Sequence, residues 1–297
     1  MLNVVERILV RKKMRIGTHV SIAGGLFNAP ANAAKVKAEV FQIFSRSPHG
    51  GPVKPITQDL IKQFKDEMGK HKFDTFYIHA PYFINFASVK NNIYYGSISV
   101  VREELERGSL IGAKALMTHL GSFGELSEEE GIDREVKAIA KVMEGYKGST
   151  RLLLEISAGA GRIVGDTFEE ISAILDDKRL KNFNIGVCFD SCHAFASCYD
   201  LRDKKSVDGT LKKFDKVIGL DRMIVMHAND SKSEFGGKLD RHEHIGQGKI
   251  GLEGFKAMAA HKVLGKLDWV LETPKDDPTW DPMNISVLNK IRSQKTK

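Results

Sequence analysis

Short apolar segments alternate along the chain with longer segments in which apolar residues recur at helical spacing. The strand-like segments are residues 15–20, 39–45, 73–80, 113–120, 151–157, 185–191, 222–230 and 268–274. The helix-like segments between them include residues 58–71, 99–112, 128–146, 168–176, 209–218, 252–261 and 283–291. Eight such repeats predict an α/β fold of the (β/α)8 TIM-barrel type, with a doubly wound sheet as the competing topology.

Composition places few further limits on the chain. No linker or compositional shift divides its 297 residues, so we expect one barrel domain over residues 14–297, with residues 1–13 as an N-terminal extension that could be disordered. No apolar run approaches the ~18 residues of a membrane helix. The net charge of +7 permits a polyanionic partner without requiring one. Three neighbouring cysteines, Cys188, Cys192 and Cys198, argue against a disulfide framework and suggest a reducing compartment.

Ionisable side chains stand at the C-terminal ends of six consecutive predicted strands. They are His79, His119, Glu155, Asp190, His227 and Glu272. A single His or Glu at such a position is usually a hydrogen-bonded structural residue, but six in succession are hard to explain in that way. The C-terminal strand ends of a TIM barrel meet at one mouth, and carboxylates buried there are costly unless they are paired or bound to metal.

The loops beside these strand ends add three more side chains of the same kind. His193 follows the sixth strand, and Asp240 and His242 follow the seventh. Because Asp240 and His242 are two residues apart, an extended backbone points both to one side. Imidazole nitrogen with carboxylate oxygen is a donor mixture that suits zinc. Five imidazoles and four carboxylates at one mouth therefore predict a site for several divalent metal ions.

The strand ends belong to longer motifs that resemble a known family. These motifs are Gly17-Thr-His-Val-Ser21, Leu154-Glu155, Asp190-Ser-Cys-His193-Ala-Phe195, His227-Ala-Asn-Asp-Ser-Lys232, Asp240-Arg-His242 and Leu271-Glu272-Thr273. Together they resemble the endonuclease IV family of apurinic/apyrimidinic (AP) endonucleases. Members of this family are DNA-repair enzymes with a (β/α)8 barrel and three zinc ions. The match extends from about Met14 to the last helix.

The resemblance implies a ligand set for each of three zinc ions. The first set is His79, His119 and Glu155; the second is Glu155, Asp190, His227 and Glu272; the third is His193, Asp240 and His242. Glu155 would bridge the first two ions and help to position the nucleophile. Glu272 would hold the second ion and is the candidate acceptor for the proton of the nucleophile.

The implied reaction is hydrolysis of the phosphodiester bond 5′ to an abasic site in duplex DNA. The products would be a 3′-hydroxyl and a 5′-deoxyribose phosphate. Asn229 and Lys232, beside the seventh strand, are expected DNA contacts. We expect a monomer with no membrane partner, located in the cytoplasm or with DNA in a nucleoid or nucleus. Two alternatives are a sugar isomerase or epimerase with about two metals on a related barrel, and a protein that holds damaged DNA without cutting it.

The resemblance also implies that loops after the second and third strands push side chains into kinked DNA. Tyr82 and Phe83 are well suited as wedges, because aromatic faces stack on bases. In the second-strand loop, His49 stands where the family places an inserting Arg, and Gly51 stands where it places Trp. We therefore expect Tyr82 and Phe83 to carry most of the wedge function, with Arg46 as the alternative.

Overall fold

The computed structural model of the protein describes residues 13–294 and contains a closed barrel of parallel strands. The barrel strands are β1 (Arg15–His19), β2 (Val40–Ile43), β3 (Phe76–His79), β4 (Ala115–Thr118), β5 (Arg151–Glu155), β6 (Gly186–Asp190), β7 (Met223–His227) and β10 (Asp268–Leu271). Each pairs with its neighbour in sequence, and β1 pairs with β10 to close the ring. The predicted TIM barrel is confirmed, and closure excludes the doubly wound sheet.

Two short strands stand outside the barrel. β8 (Asp230–Ser231) and β9 (His242–Glu243) form an antiparallel pair in the long segment between β7 and β10. Residues 1–12, which make up nearly all of the predicted N-terminal extension, lie outside the described residues.

Nine α-helices surround the barrel within residues 13–294. They are α1 (Asn28–Lys35), α2 (Gln58–Lys70), α3 (Asn91–Ile111), α4 (Glu128–Met143), α5 (Phe168–Leu175), α6 (Ser191–Ala196), α7 (Lys204–Val217), α8 (Gly251–Ala260) and α9 (Trp280–Gln294). The helical periodicity does not mark α1 or α6, which have only eight and six residues. It also places the start of α3 eight residues late, because its first two turns are largely exposed and include Gly96.

Side chains that point into the barrel form layers, because successive residues of a strand point to opposite faces. The apolar middle layer consists of Val40, Tyr77, Ala115, Met117, Leu153, Cys188, Val225 and Val270. Residues on the opposite strand faces, such as Phe41, Ile78 and Phe189, pack in the core beneath the helices. The residue two positions after each middle-layer residue lies nearer the C-terminal mouth. Seven strands contribute to the middle layer, and on six of them this next residue is polar; on β4, Ala115 is followed first by Met117 and then by His119.

The N-terminal end of the barrel is closed by an ion-pair cluster around Asp268. Its carboxylate accepts hydrogen bonds from Arg15 Nε at 2.8 Å, the Tyr77 hydroxyl at 2.6 Å and Lys114 Nζ at 3.2 Å. Burial raises the pKa of Asp268, but Arg15 and Lys114 outweigh burial and hold that pKa well below its usual range. The cluster neutralises the buried charge, so this end serves stability and the opposite end is left for chemistry.

The remaining general expectations concern cysteines and membranes. Cys188 and Cys192 are buried and Cys198 is exposed, and all three are free thiols. Over residues 13–294, none of the helices combines the length and the apolar character that crossing a membrane would require.

Candidate metal centre

Glu155 lies at the centre of the cluster at the barrel mouth. Its Oε2 is 3.0 Å from His79 Nε2 and 3.9 Å from His119 Nε2, while its Oε1 is 2.8 Å from His227 Nδ1. The two oxygens of one fully buried carboxylate thus face two different groups of imidazoles. This geometry suits a carboxylate that bridges two metal ions, and it brings together the first predicted ligand set.

The second predicted ligand set surrounds His227. Its Nδ1 lies 3.2 Å from Glu272 Oε2 and 3.7 Å from Asp190 Oδ2. One ligand atom from each of Glu155, Asp190, His227 and Glu272 falls within 4.8 Å of the others. Three strand ends and the residue after β10 therefore converge on a volume that one cation could occupy.

The third predicted set joins His193 of α6 to Asp240, which precedes β9, and to His242, the first residue of β9. Asp240 Oδ1 lies 3.1 Å from His193 Nε2 and 3.2 Å from His242 Nε2. Pairing of Ser231 with His242 across the β8–β9 ladder holds His242 toward the barrel. The set adjoins the second one, because Asp190 Oδ2 is 3.8 Å from His242 Nε2. Asp240 is half-exposed, so this is the most open of the three sets.

Most of the ligand imidazoles have one ring nitrogen fixed by a hydrogen bond outside the cluster. Three donate from Nδ1 to backbone carbonyls: His79 to Ala80 at 2.6 Å, His193 to Ile156 at 2.8 Å and His242 to Glu272 at 2.9 Å. His227 instead contacts the side chain of Gln42, with its Nε2 2.8 Å from Gln42 Oε1. In every case the other nitrogen faces carboxylates, which is the arrangement of metal-ligating histidines.

The electrostatics of the cluster favour added positive charge. Burial raises the pKa of Glu155, but His227 and His119 outweigh it and hold the pKa well below its usual range. The same opposition, led by His227, depresses the pKa of Glu272. Burial lowers the pKa of His242, yet Asp240 overrides it and raises this pKa to about 9. The carboxylates thus stabilise positive charge placed among them. That charge can be protons on the imidazoles, or metal ions that replace those protons.

Asn229 is a structural part of the cluster, and the expectation that it contacts DNA is wrong. It is fully buried, and both polar atoms of its side chain are used. Its Nδ2 donates to Asp190 Oδ2 at 2.7 Å, and its Oδ1 accepts the backbone N–H of Glu272 at 2.8 Å. Asn229 therefore braces two ligands of the second set.

Asp230 is a second structural residue, and its sequence context did not mark it as one. Its buried carboxylate accepts backbone N–H groups from Ser231, Gly246, Gly248, Ile250 and Gly251. A Cβ atom at Gly248 would lie 2.5 Å from Asp230 Oδ1, so this close approach requires glycine. Asp230 thus fixes the glycine-rich loop that follows the third ligand set.

The rim of the mouth carries the two expected aromatic side chains. Tyr82 is 60% exposed and Phe83 is 42% exposed. The Tyr82 ring packs edge-on against Phe44, with ring centroids 5.2 Å apart. The second-strand loop lies beside them, because a Cβ at Gly50 would be 3.6 Å from the Phe83 ring. His49 is exposed on this loop, with its ring centroid 6.5 Å from that of Tyr82.

The basic side chains expected to contact DNA differ in their surroundings. Arg46 is only 8% exposed, and its guanidinium forms ion pairs with Glu103 and Glu104 of α3. The structure therefore contradicts Arg46 as the alternative wedge, because its charge is already neutralised within the protein. Lys232 is half-exposed, and its Nζ lies 3.9 Å from a carboxylate oxygen of Glu243.

The fold and the three adjoining ligand sets define a TIM-barrel metalloenzyme. A family model described as a xylose isomerase-like TIM barrel matches residues 30–291. A probable endonuclease 4 of Cenarchaeum symbiosum is 41% identical over 94% of this chain and 99% of its own. One from Halothermothrix orenii is 39% identical over 88% of this chain and 94% of its own.

Two solved structures with the same fold differ in how closely they are related to this chain. Endonuclease IV from Thermus thermophilus superposes with a TM-score of 0.82 and 29% identity, covering 94% of this chain and 99% of that one. A D-tagatose 3-epimerase-like protein gives a TM-score of 0.72 at 20% identity, covering 95% and 98%, and shares the fold alone. The chain belongs to the endonuclease IV family. It is a hydrolase, an AP endonuclease of DNA repair.

Proposed function

We propose that this chain cuts the phosphodiester bond 5′ to an abasic site in duplex DNA, with three zinc ions held at the barrel mouth. The products are a 3′-hydroxyl and a 5′-deoxyribose phosphate. The observation that carries the proposal is the presence of three adjoining His and carboxylate sets, two of which share Glu155. Such donors fit zinc, and a cluster of cations fits a phosphodiester better than it fits a neutral sugar.

The described ligand sets give each zinc ion its residues. His79, His119 and Glu155 would hold the first ion; Glu155, Asp190, His227 and Glu272 the second; His193, Asp240 and His242 the third. When bound, zinc acidifies water and neutralises the charge of phosphate oxygens. Three divalent ions against four ligand carboxylates leave a net charge of roughly +2 to meet the phosphate.

Two carboxylates have roles in the reaction itself. One carboxylate oxygen of Glu155 faces His79 and the other faces His227, so the side chain lies between the first two ligand sets. From there it would help to align the nucleophile with the scissile phosphate. Glu272 accepts the proton of the nucleophile at its carboxylate. A carboxylate is ionised at neutral pH, as a proton acceptor must be. Asn229 hydrogen-bonds to the Asp190 carboxylate and to the backbone N–H of Glu272, which fixes the position of Glu272 relative to Asp190.

The third ligand set separates this proposal from its rivals. A sugar isomerase with about two metals has no use for a third set, in which His193 Nε2 and His242 Nε2 lie 3.1 and 3.2 Å from Asp240 Oδ1. A protein that only holds damaged DNA has no use for any of the buried carboxylates, which are costly without catalysis or metal. Both rivals leave the charge of the cluster unexplained.

DNA is held, in this proposal, by the exposed rim of the barrel mouth. An abasic sugar inside a duplex must swing out before its phosphate reaches the cluster. Tyr82 and Phe83 are exposed aromatic rings beside the cluster, and they fill the gap left in the base stack. Lys232 contacts a backbone phosphate. His49 contributes less, because the adjoining Gly50 and Gly51 make its loop costly to order.

A mapped incision assay tests this function. A duplex with one tetrahydrofuran abasic analogue and a labelled 5′ end should be cut once, immediately 5′ to the analogue, and a polymerase should extend the product. The double variant Asp240→Ala with His242→Ala should lose the cut, while Asp66→Asn on the exposed face of α2 should retain it. An uncut duplex, or a product that a polymerase cannot extend, would contradict the proposal.

A further inference from the structure

Gln42 belongs to the polar ring at the barrel mouth but to none of the three ligand sets. It lies two residues after Val40 of the middle layer and is fully buried. It is the polar interruption of an otherwise apolar strand, Val40-Phe-Gln-Ile43. A buried side-chain amide is costly unless all its polar atoms are paired, so its partners indicate why it is there.

The partners of Gln42 determine the orientation of its amide. Its Nε2 lies 2.5 Å from Glu272 Oε1, and an ionised carboxylate can only accept. The NH₂ group must therefore face Glu272, and the carbonyl Oε1 must face His227 Nε2 at 2.8 Å. The second N–H of the amide points to His19 Nδ1 at 3.0 Å. With this orientation every polar atom of Gln42 is satisfied.

This orientation has a direct consequence for His227. Because Gln42 Oε1 accepts, His227 Nε2 must carry a hydrogen, and Nδ1 is the nitrogen directed at Glu155, Asp190 and Glu272. The same amide holds Glu272 Oε1, which leaves Oε2 facing His227 Nδ1 at 3.2 Å. One side chain thus selects the inward-facing atom of two ligands of the second set.

We propose that Gln42 is a positioning residue for the second metal ion, which fixes the ring orientation of His227 and the carboxylate orientation of Glu272. The inference rests on the proposed function, since it presumes a metal in that set. Backbone carbonyls hold His79, His193 and His242 in the same way, and no side-chain substitution can remove them. Gln42 is therefore the partner at which the orientation of a ligand imidazole can be tested by substitution.

Two substitutions separate the contact of Gln42 with His227 from its contact with Glu272. Gln42→Met keeps the length of the side chain and removes all three of its hydrogen bonds, to His227, Glu272 and His19, so affinity for the second metal should fall by about 10- to 100-fold. Gln42→Glu keeps an acceptor for His227 but sets a second carboxylate against Glu272. It should retain the His227 hydrogen bond while disturbing the carboxylate. Gln63→Met, on the exposed face of α2, is the matched control.

The test measures zinc per chain by elemental analysis after dialysis against buffered free zinc, together with the ¹H–¹⁵N signal of the His227 ring. A hydrogen-bonded Nε2–H gives a downfield signal that exchanges slowly. We expect wild type and Gln63→Met to stay fully loaded and keep this signal. Gln42→Met should lose one zinc at a free concentration that leaves wild type full, and should lose the signal, which Gln42→Glu keeps.

Equal zinc affinity and an unchanged His227 signal in Gln42→Met would overturn the positioning role while leaving the proposed function intact. Wild-type protein that binds no zinc would instead overturn the proposed function, and this inference with it. If Gln42→Met does not fold, the Gln42→Glu variant decides. An absent His227 signal in a folded Gln42→Glu protein would contradict the assigned hydrogen bond.

Discussion

Asn229 donates a hydrogen bond of 2.7 Å to Asp190 from a fully buried position. Its other polar atom accepts the backbone N–H of Glu272, so one amide ties the end of β6 to the residue that follows β10. The catalytic cluster is therefore braced from within the barrel as well as by the strands that carry it. This rigidity makes substitutions at individual ligands informative, because the neighbouring ligands should stay in place.

Replacement of Glu272 by Gln tests the proton acceptor. Glu272→Gln keeps the shape of the side chain and removes its charge, so cleavage of abasic duplex should fall by at least ~10²-fold, the scale of general-base loss. Binding of the duplex should largely survive. Glu253→Gln on the exposed face of α8 is the matched control. Cleavage near the wild-type rate in single-turnover assays would show that the assignment is wrong.

The two rim loops should contribute unequally to DNA binding. Tyr82→Ala removes an exposed ring that stacks in the DNA, so Kd for abasic duplex should rise by at least ~5-fold. His49→Ala should change Kd by less than ~2-fold at about pH 8, and His49→Arg should tighten binding modestly through added charge and reach. Fluorescence anisotropy titrations measure all three. A larger defect in His49→Ala than in Tyr82→Ala would overturn the assignment.

Binding to abasic duplex should weaken steeply as salt rises. Phosphate contacts release counterions from DNA, so Kd should increase by at least ~10-fold between about 50 and 200 mM salt. The salt dependence should be similar for an undamaged duplex, since these contacts do not depend on the lesion. A flat response over this range would point to a small neutral substrate.

Glu170 makes stability depend on pH away from the catalytic site. Burial, followed by Asp166 and Glu128, raises the pKa of Glu170 to about 7, although the Gly165 N–H opposes this. Glu135 of α4 is fully buried and neither of its oxygens has a hydrogen-bond partner within residues 13–294; burial and then Glu170 raise its pKa well above the usual value. Folding thus favours the protonated forms of Glu170 and Glu135.

The sign of this effect sets the prediction for Glu170→Gln. A raised pKa in the folded state gives stability that is complete below the unfolded pKa of about 4.5 and is lost as pH rises through about 7. Glu170→Gln should therefore stabilise the protein by on the order of 1 kcal/mol or more near pH 8 and have little effect near pH 4.5. Urea unfolding measures both, with exposed Glu169→Gln as control. An equal effect at both pH values would contradict the assignment.

The barrel and most of the candidate ligand positions could be predicted because they follow from the alternation of strand-like and helix-like segments along the chain. A ligand such as His79 or Glu155 is an ionisable residue at the end of an apolar strand, and the strand ends of a TIM barrel converge. Residues that support the ligands have no such signature. Gln42 stands inside an apolar segment, where its polarity alone marked it, and that signal could have been used.

Loop residues were harder to assign, because their direction depends on contacts that spacing does not encode. Asp230 and Asn229 are neighbours in one motif, yet one holds a glycine loop and the other braces Asp190. Arg46 has the charge expected of a DNA contact, but Glu103 and Glu104 come from a helix more than fifty residues away and neutralise it. The sequence shows which charged and polar side chains are present, but only the folded structure shows which of them are already bonded to other groups of the protein.

The central claim is that the barrel mouth holds three zinc ions, and elemental analysis of native protein tests it most directly. Protein purified without chelator should contain close to three metal ions per chain, mostly zinc, with manganese or iron as partial substitutes. Three ions match the three described ligand sets. A value near one or zero after careful purification would contradict the account.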